Sequence, residues 1–209
     1  MYPKTKKLQT LFAAEDIPLE RTWEALLALQ RRGLIRAIGG SNFTSDQVLA
    51  LQSHFGRVDG PQTNQVESHP FCAQHRMAAK LNAAGIPITA YSPLGNYQAS
   101  KPQPGATVRA KPPPPSPLNH TLIQTIAQKH EVAPAQVLLR WNLQLGRLVV
   151  PKSVQADRIR MNGEVFHFHL SSDDMAAIET LNHPPTQTRF LNPSSFKRTP
   201  RKWFFTEFE

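Results

Sequence analysis

The spacing of apolar residues changes repeatedly along the chain, from helical to extended and back. "TWEALLALQRRG" puts Trp23, Leu26 and Leu27 on one helical face and stops at Gly33. "LIRAIGGSN" follows as a short apolar run into Gly39-Gly40-Ser41-Asn42, which predicts a buried strand reaching a tight loop. "TSDQVLALQSHFG" predicts a helix with Thr44 or Ser45 as N-cap and Gly56 at its end. "QTNQVESHP" alternates like a strand, "QHRMAAKLNAAG" reads as an Ala-rich helix, and "IPITAYSPLG" as another strand. "TLIQTIAQKH" and "APAQVLLRWNLQLG" predict two more helices. In the second, Pro134 suits the first turn and Val137, Leu138 and Trp141 form the buried face. "RLVVPKS" is a fourth strand, followed by a helix-like run. "LSSDDMAAIETL" closes the pattern with a Ser171 or Ser172 cap and acids in the first turn.

Alternating strand and helix predicts parallel strands joined by right-handed crossovers. The strands read as apolar at nearly every position, as expected when both sheet faces are covered. Their polar residues (Ser41-Asn42, Gln65, Tyr91-Ser92, Lys152-Ser153) gather at the C-terminal ends. Parallel α/β folds, barrels especially, bind ligands there. No Gly-x-Gly-x-x-Gly follows a strand and no Walker loop is present.

Composition narrows the classes. An apolar content of 40% with 19% charged residues, in 209 residues, suits a globular chain of one sizeable domain or two small ones. No run approaches the 18 apolar residues of a membrane span, and the N-terminus is no convincing signal peptide. Neither a membrane nor a nucleic acid is expected as partner. The net charge of +9 is scattered rather than striped, and no aromatic residues interleave with it. The single cysteine, Cys72, excludes an intrachain disulfide and agrees with a reducing cytoplasm. "FHFHL" sets His167 and His169 on one face if extended, but no third ligand is evident and no metal is expected. Glu67 and His69 share a face with Gln65, as interior packing would place them. Residues 98–118 hold seven of the 19 prolines together with Lys101, Arg109 and Lys111. They read as a polyproline-like surface loop or as a basic flap over an anionic ligand.

Four motifs in order carry a family resemblance. "GLIRAIGGSNF" (33–43), "NQVESHP" (64–70), "ITAYSPLG" (88–95) and "VVPKSVQADRIRMN" (149–162) resemble the fifth to eighth strands of the aldo-keto reductases, NADPH-dependent carbonyl reductases built on a (β/α)8 barrel. "LLRWNLQ" and "LSSDDMAAIETLN" also fit, and "TRFLNPSSF" resembles the xylose-reductase-like branch. The resemblance runs from about residue 17 to the end and implies an α/β fold, a partial (β/α)8 TIM barrel of roughly strands five to eight with their helices. Residues 1–16 stay unassigned; residues 17–209 form the oxidoreductase domain.

The resemblance implies cofactor roles by position. Ser41, Asn42 and Gln65 bind the nicotinamide carboxamide and Tyr91 stacks on the ring. Ser92, Leu94 and Asn96 run along the pyrophosphate. Lys152, Ser153, Arg158 and Asn162 hold the adenosine end and its 2′-phosphate, so the implied cofactor is NADP(H). The chemistry agrees. A phosphomonoester carries up to about two charges and three acceptor oxygens, which an Arg fork, a Lys and a helix N-terminus meet well. Arg158 and Asn162, four apart, share a helical face. Alone, Lys152 or Arg158 reads as a solvated charge, Ser153 as a cap, Tyr91 as core packing and Gln65 as interior packing. Their joint position at strand ends reads as a cofactor-shaped site.

Departures from the family pattern matter as much. Gly40 stands where Val or Ile is usual, Asn96 replaces a Ser, Met161 replaces a Glu that touches adenine, and Gln98 falls near an acid of the cofactor clasp. The family's catalytic Asp, Tyr, Lys and His come from its first four strands, and residues 1–16 resemble none of them. No catalytic residue is therefore assigned. The sequence leads to an NADP(H)-dependent oxidoreductase of aldehydes and ketones, truncated and inactive alone. The alternatives are a noncatalytic NADPH-binding or interaction protein and a nonfunctional fragment. A carbonyl substrate is expected only with an N-terminal half, and open barrel edges invite self-association. The apolar C-terminal residues Trp203, Phe204 and Phe205 read as relics of a substrate loop.

Overall fold

The computed structural model describes residues 17–95 and 116–182. The elements run α1 (Leu19–Arg31), β1 (Gly40–Ser41), α2 (Ser45–Asp59), β2 (Asn64–Glu67), α3 (His75–Ala83) and β3 (Ile88–Tyr91). A 3-10 turn (Pro117–Asn119) leads to α4 (Thr121–Lys129), α5 (Pro134–Gln144), β4 (Leu148–Val150), α6 (Ala156–Gly163) and α7 (Ser172–Glu179). The strands form one sheet in the order β1-β2-β3-β4, every pair parallel. Sequential order without reversal is that of a barrel segment; an open doubly wound sheet would reverse its order at a switch point.

Local chemistry sets the helix boundaries. Thr44 Oγ1 accepts from Gln47 N at 3.1 Å while Gln47 Oε1 accepts from Thr44 N at 2.9 Å, a capping box that starts α2. The helix kinks at Gly56, whose φ of 79° is left-handed, and adds a last turn to Asp59, past the expected stop. Pro134 opens α5, and Ala133 N donates to Gln136 Oε1 at 2.9 Å. Ser171, not Ser172, caps α7.

Two strand expectations need correction. The run from Leu34 is not a buried strand: Leu34 is 62% exposed, and only Gly40–Ser41 pairs as strand. Leu34 N donates to Leu29 O, so Leu34 finishes the turn after α1, and the run meets the β2 side only from Ile38, whose carbonyl accepts from Gln62 N at 2.9 Å. The strands are also not uniformly apolar. β2 reads Asn-Gln-Val-Glu, with Asn64 buried because its side chain bonds both main-chain groups of Phe43, at 3.4 and 2.9 Å. The departure at Gly40 has a steric reason, since a Cβ there would lie 3.0 Å from Phe43 Cδ2.

The two sheet faces differ. Val66 and Ile88 face α2 and α3 and pack with Val48, Met77 and Leu81. Trp141, Leu138, Ile123, Leu170 and Ile178 fill the core between α4, α5 and α7. Trp23, Leu27, Ile38 and Leu51 join α1 to α2. The opposite face, the inner side of a barrel, carries Gln65, Thr89 and Tyr91, and also Leu148 and Val150, which are 53% and 46% exposed. Ser116 and Pro117, the end of the Pro-rich stretch, are buried and not part of a surface loop; its residues 98–115 lie outside the described residues.

Asp174, in the first turn of α7, ties the start of α7 to the end of α4. Its carboxylate accepts from Lys129 Nζ at 2.9 Å and Ser171 N at 3.0 Å, and lies 2.8 Å from His130 Nε2. Burial raises its affinity for a proton, but the bonds from Lys129, His130 and Ser171 outweigh burial and hold the carboxyl well below the usual carboxylate range. A depressed folded value stabilises the fold above the unfolded value near about 4, and that stability fades as pH falls below it. Urea unfolding across pH checks this. Wild type should lose stability below about pH 4 more steeply than Asp174→Asn, which should cost about 2 kcal/mol at pH 7.

Candidate functional site

Parallel pairing brings the C-terminal ends of all four strands to one rim. Ser41 sits opposite Gln65, and Gln65 opposite Thr89, so Ser41 and Gln65 share the inner face. Tyr91 ends β3 on that face, beside Val150. Its Oη donates to Asn42 Oδ1 at 3.1 Å, which bridges β3 to the end of β1 across β2. Asn42 N donates to Gln65 O at 2.9 Å. The structure thus brings Ser41, Asn42, Gln65 and Tyr91 together.

The backbone at this rim is strained. Asn42 and Ser92 have φ of 57° and 47°. Asn tolerates the left-handed region; Ser does so less readily, at a cost of about 1 kcal/mol or more. Ser92 O accepts from Gly95 N at 2.8 Å, so Ser92–Gly95 folds as a tight turn directly after Tyr91. Such outliers gather where a chain must present groups to a ligand.

Beside this turn lies a cavity of about 850 Å³. Ser92, Leu94, Lys152, Ser153, Arg158 and Asn162 all line it, together with Met161. Arg158 and Asn162 therefore share a face of α6, as their spacing predicts. Asn96 lies outside the described residues. Ser153 Oγ accepts from Gln155 N at 3.1 Å, just ahead of α6, and the N-cap Gln155 provides no side-chain bond to the first turn. The positive end of α6 and its main-chain donors thus remain available.

The cationic side chains are unspent as well. Lys152 and Arg158 are exposed, and among the described residues neither forms an ion pair. The nearby Asp157 lies 4.0 Å from Arg160 instead. Two uncompensated cations, a hydroxyl, a carboxamide and a helix N-terminus make a donor set suited to a phosphate. Met161, 37% exposed, adds an apolar wall.

Other polar groups lie elsewhere. Glu67 and His69 are fully buried with 2.9 Å between Oε1 and Nε2. His167 and His169 are exposed, and among the described residues no group of three His, Cys, Asp or Glu could hold a metal. Sequence reasoning missed Arg147, which is only 3% exposed. Burial lowers its guanidinium to about 10, partly countered by Glu179 and Cys72, so it remains charged at neutral pH. Its signal in the sequence was a lone charge at the entry of an apolar strand, which resembles an ordinary surface residue. No described helix is long and apolar enough to cross a membrane.

Known proteins resemble this chain in sequence and fold. The family model described as "Aldo/keto reductase family" matches residues 4–183. Aldo-keto reductase family 1 member A1 of Sus scrofa is 39% identical over 186 residues, covering 86% of this chain and 52% of its own. The Rattus norvegicus protein of the same name is 37% identical over 87% of this chain and 53% of its own. The structure of the aldose reductase from Schistosoma japonicum superposes with a TM-score of 0.74 at 31% identity, covering 92% of this chain and 56% of that one. MGS-M4, an aldo-keto reductase enzyme from a Medee basin deep-sea metagenome library, gives 0.69 at 28% identity, over 83% and 57%. The chain spans about half the length of the curated relatives it matches. With its parallel strand order, its rim of polar residues and a family match over most of its length, the chain belongs to the aldo/keto reductase family.

Proposed function

We propose that this chain binds NADP(H) at the rim of β1–β4 and is the cofactor-holding part of an oxidoreductase acting on aldehydes or ketones. The observation that carries the reading is the cavity in which Lys152 and Arg158, without ion-pair partners among the described residues, stand beside Ser153, Asn162 and the N-terminus of α6. A 2′-phosphomonoester is the group in such a cofactor that this donor set fits. Arg158 offers a planar fork and Lys152 a point charge. Ser92 and Leu94 follow the pyrophosphate along the turn after β3, and Asn96, outside the described residues, is proposed to join them. Tyr91, its ring fixed by the bond from Oη to Asn42, serves as the stacking platform for the nicotinamide. Ser41, Asn42 and Gln65 bind the carboxamide. Bound there, the cofactor supplies the hydride of a carbonyl reduction. The cytoplasm is the proposed compartment.

A second reading, cofactor binding without turnover, rests on a specific observation. Reduction of a carbonyl requires a general acid to protonate the developing alkoxide. Among the described residues the cavity lining contains no Tyr, His or Asp, and the hydroxyl of Tyr91 is bonded to Asn42. We therefore infer that the 209-residue chain holds the cofactor but does not itself reduce a carbonyl.

Fluorescence titration tests the first claim. Lys152→Ala with Arg158→Ala should weaken NADPH by about 100-fold, from two lost charge-assisted contacts, and NADH by less than about threefold. Equal weakening of both removes the 2′-phosphate assignment. Absorbance at 340 nm tests the second claim. The folded chain should oxidise no NADPH above background with an aromatic aldehyde, and rapid oxidation would refute inactivity.

A further inference from the structure

Arg147 lies at the entry of β4, on the face that packs against α5. Its Nη1 donates to Ser68 Oγ at 2.8 Å and lies 3.4 Å from Asn142 Oδ1. Its guanidinium carbon sits 5.2 Å from the centre of the Trp141 ring. Among the described residues no carboxylate lies within ion-pair distance of it, and its Nε is buried without a hydrogen bond. A buried charge compensated this poorly normally costs stability. Ser68 and Asn142 do not need the charge, since Ser68 Oγ already donates to Asn142 Oδ1 at 3.1 Å.

The contacts of Ser68 show what the charge does. Ser68 follows β2, and its N–H donates to Tyr91 O at 3.2 Å. That carbonyl immediately precedes Ser92, where the backbone turns into the left-handed region. The guanidinium therefore spans β3 on its outer side, from the start of β4 to the end of β2. It grips the residue that holds the strained Tyr91-Ser92 turn.

We propose that Arg147 is a positioning residue for that turn, acting through Ser68 to fix the platform on which the nicotinamide half of the cofactor lies. This rests on the NADP(H) reading above. Its effect reaches the ligand only through Ser68 and the Tyr91-Ser92 turn, and among the described residues neither Lys152 nor Arg158 bonds to Ser68. The stability it sacrifices is the cost of fixing Tyr91.

The test compares two probes, NADPH and adenosine 2′,5′-bisphosphate, which lacks the nicotinamide. Arg147→Met keeps the side chain's bulk and removes the charge. It should melt no lower than wild type, because a buried, poorly paired charge is lost. Its Kd for NADPH should rise about tenfold while that for the bisphosphate changes less than about twofold. Ser68→Ala should reproduce the split, and decides the matter if Arg147→Met does not fold. Equal weakening of both probes in a folded variant would mean a general structural role and overturn the proposal. Unchanged NADPH binding would overturn it too. A wild-type chain that binds neither probe would instead remove the cofactor reading itself.

Discussion

Parallel pairing is the constraint from which the rest of this molecule follows. Four strands that run the same way cannot be joined by short hairpins, so each must return through a helix. Their C-terminal ends then fall on one rim, and the residues that end them become neighbours however far apart they lie in sequence. Asn42 meets Tyr91 across forty-nine positions for this reason. Lys152 and Ser153 meet Ser92 and Leu94 in one cavity for the same reason.

The two faces of the sheet differ in what covers them. The outer face, packed by Val66, Ile88 and the helices, supplies the apolar burial that holds the strands. The inner face is polar near the rim and leaves Leu148 and Val150 half-exposed. α6 buries no residue and lines the cavity with Arg158 and Asn162. Two of the four described non-glycine residues with left-handed backbone, Asn42 and Ser92, lie at this rim; Gln74 and Glu131 lie at helix ends elsewhere.

Much of this was legible in the sequence because its causes are local. Thr44 with Gln47, Ser171 with Asp174, and Pro134 are start signals that work within one turn, and each one opens a helix as its chemistry predicts. The four-residue spacing of Arg158 and Asn162 put them on one helical face, which the cavity lining matches. What escaped was set by tertiary contacts. Leu34 looked like strand but completes a turn by bonding to Leu29 O. The strands read as apolar at nearly every position, yet the second carries Asn64, which is buried because Phe43 satisfies it. Asp174 read as an ordinary first-turn acid until Lys129 and His130, more than forty residues earlier, arrived beside it. Arg147 carries no local signal of burial; Ser68 and Trp141, brought in by the fold, enclose it.

The central claim is that the β4–α6 corner grips a 2′-phosphate. The most direct test is the phosphorus NMR spectrum of NADP+ titrated with the chain. The account predicts that the 2′-phosphate resonance shifts on binding and that the group stays dianionic to lower pH than in the free nucleotide, as neighbouring cations require. A 2′-phosphate resonance with the position and titration of the free nucleotide, at protein concentrations that shift the pyrophosphate signals, would contradict it.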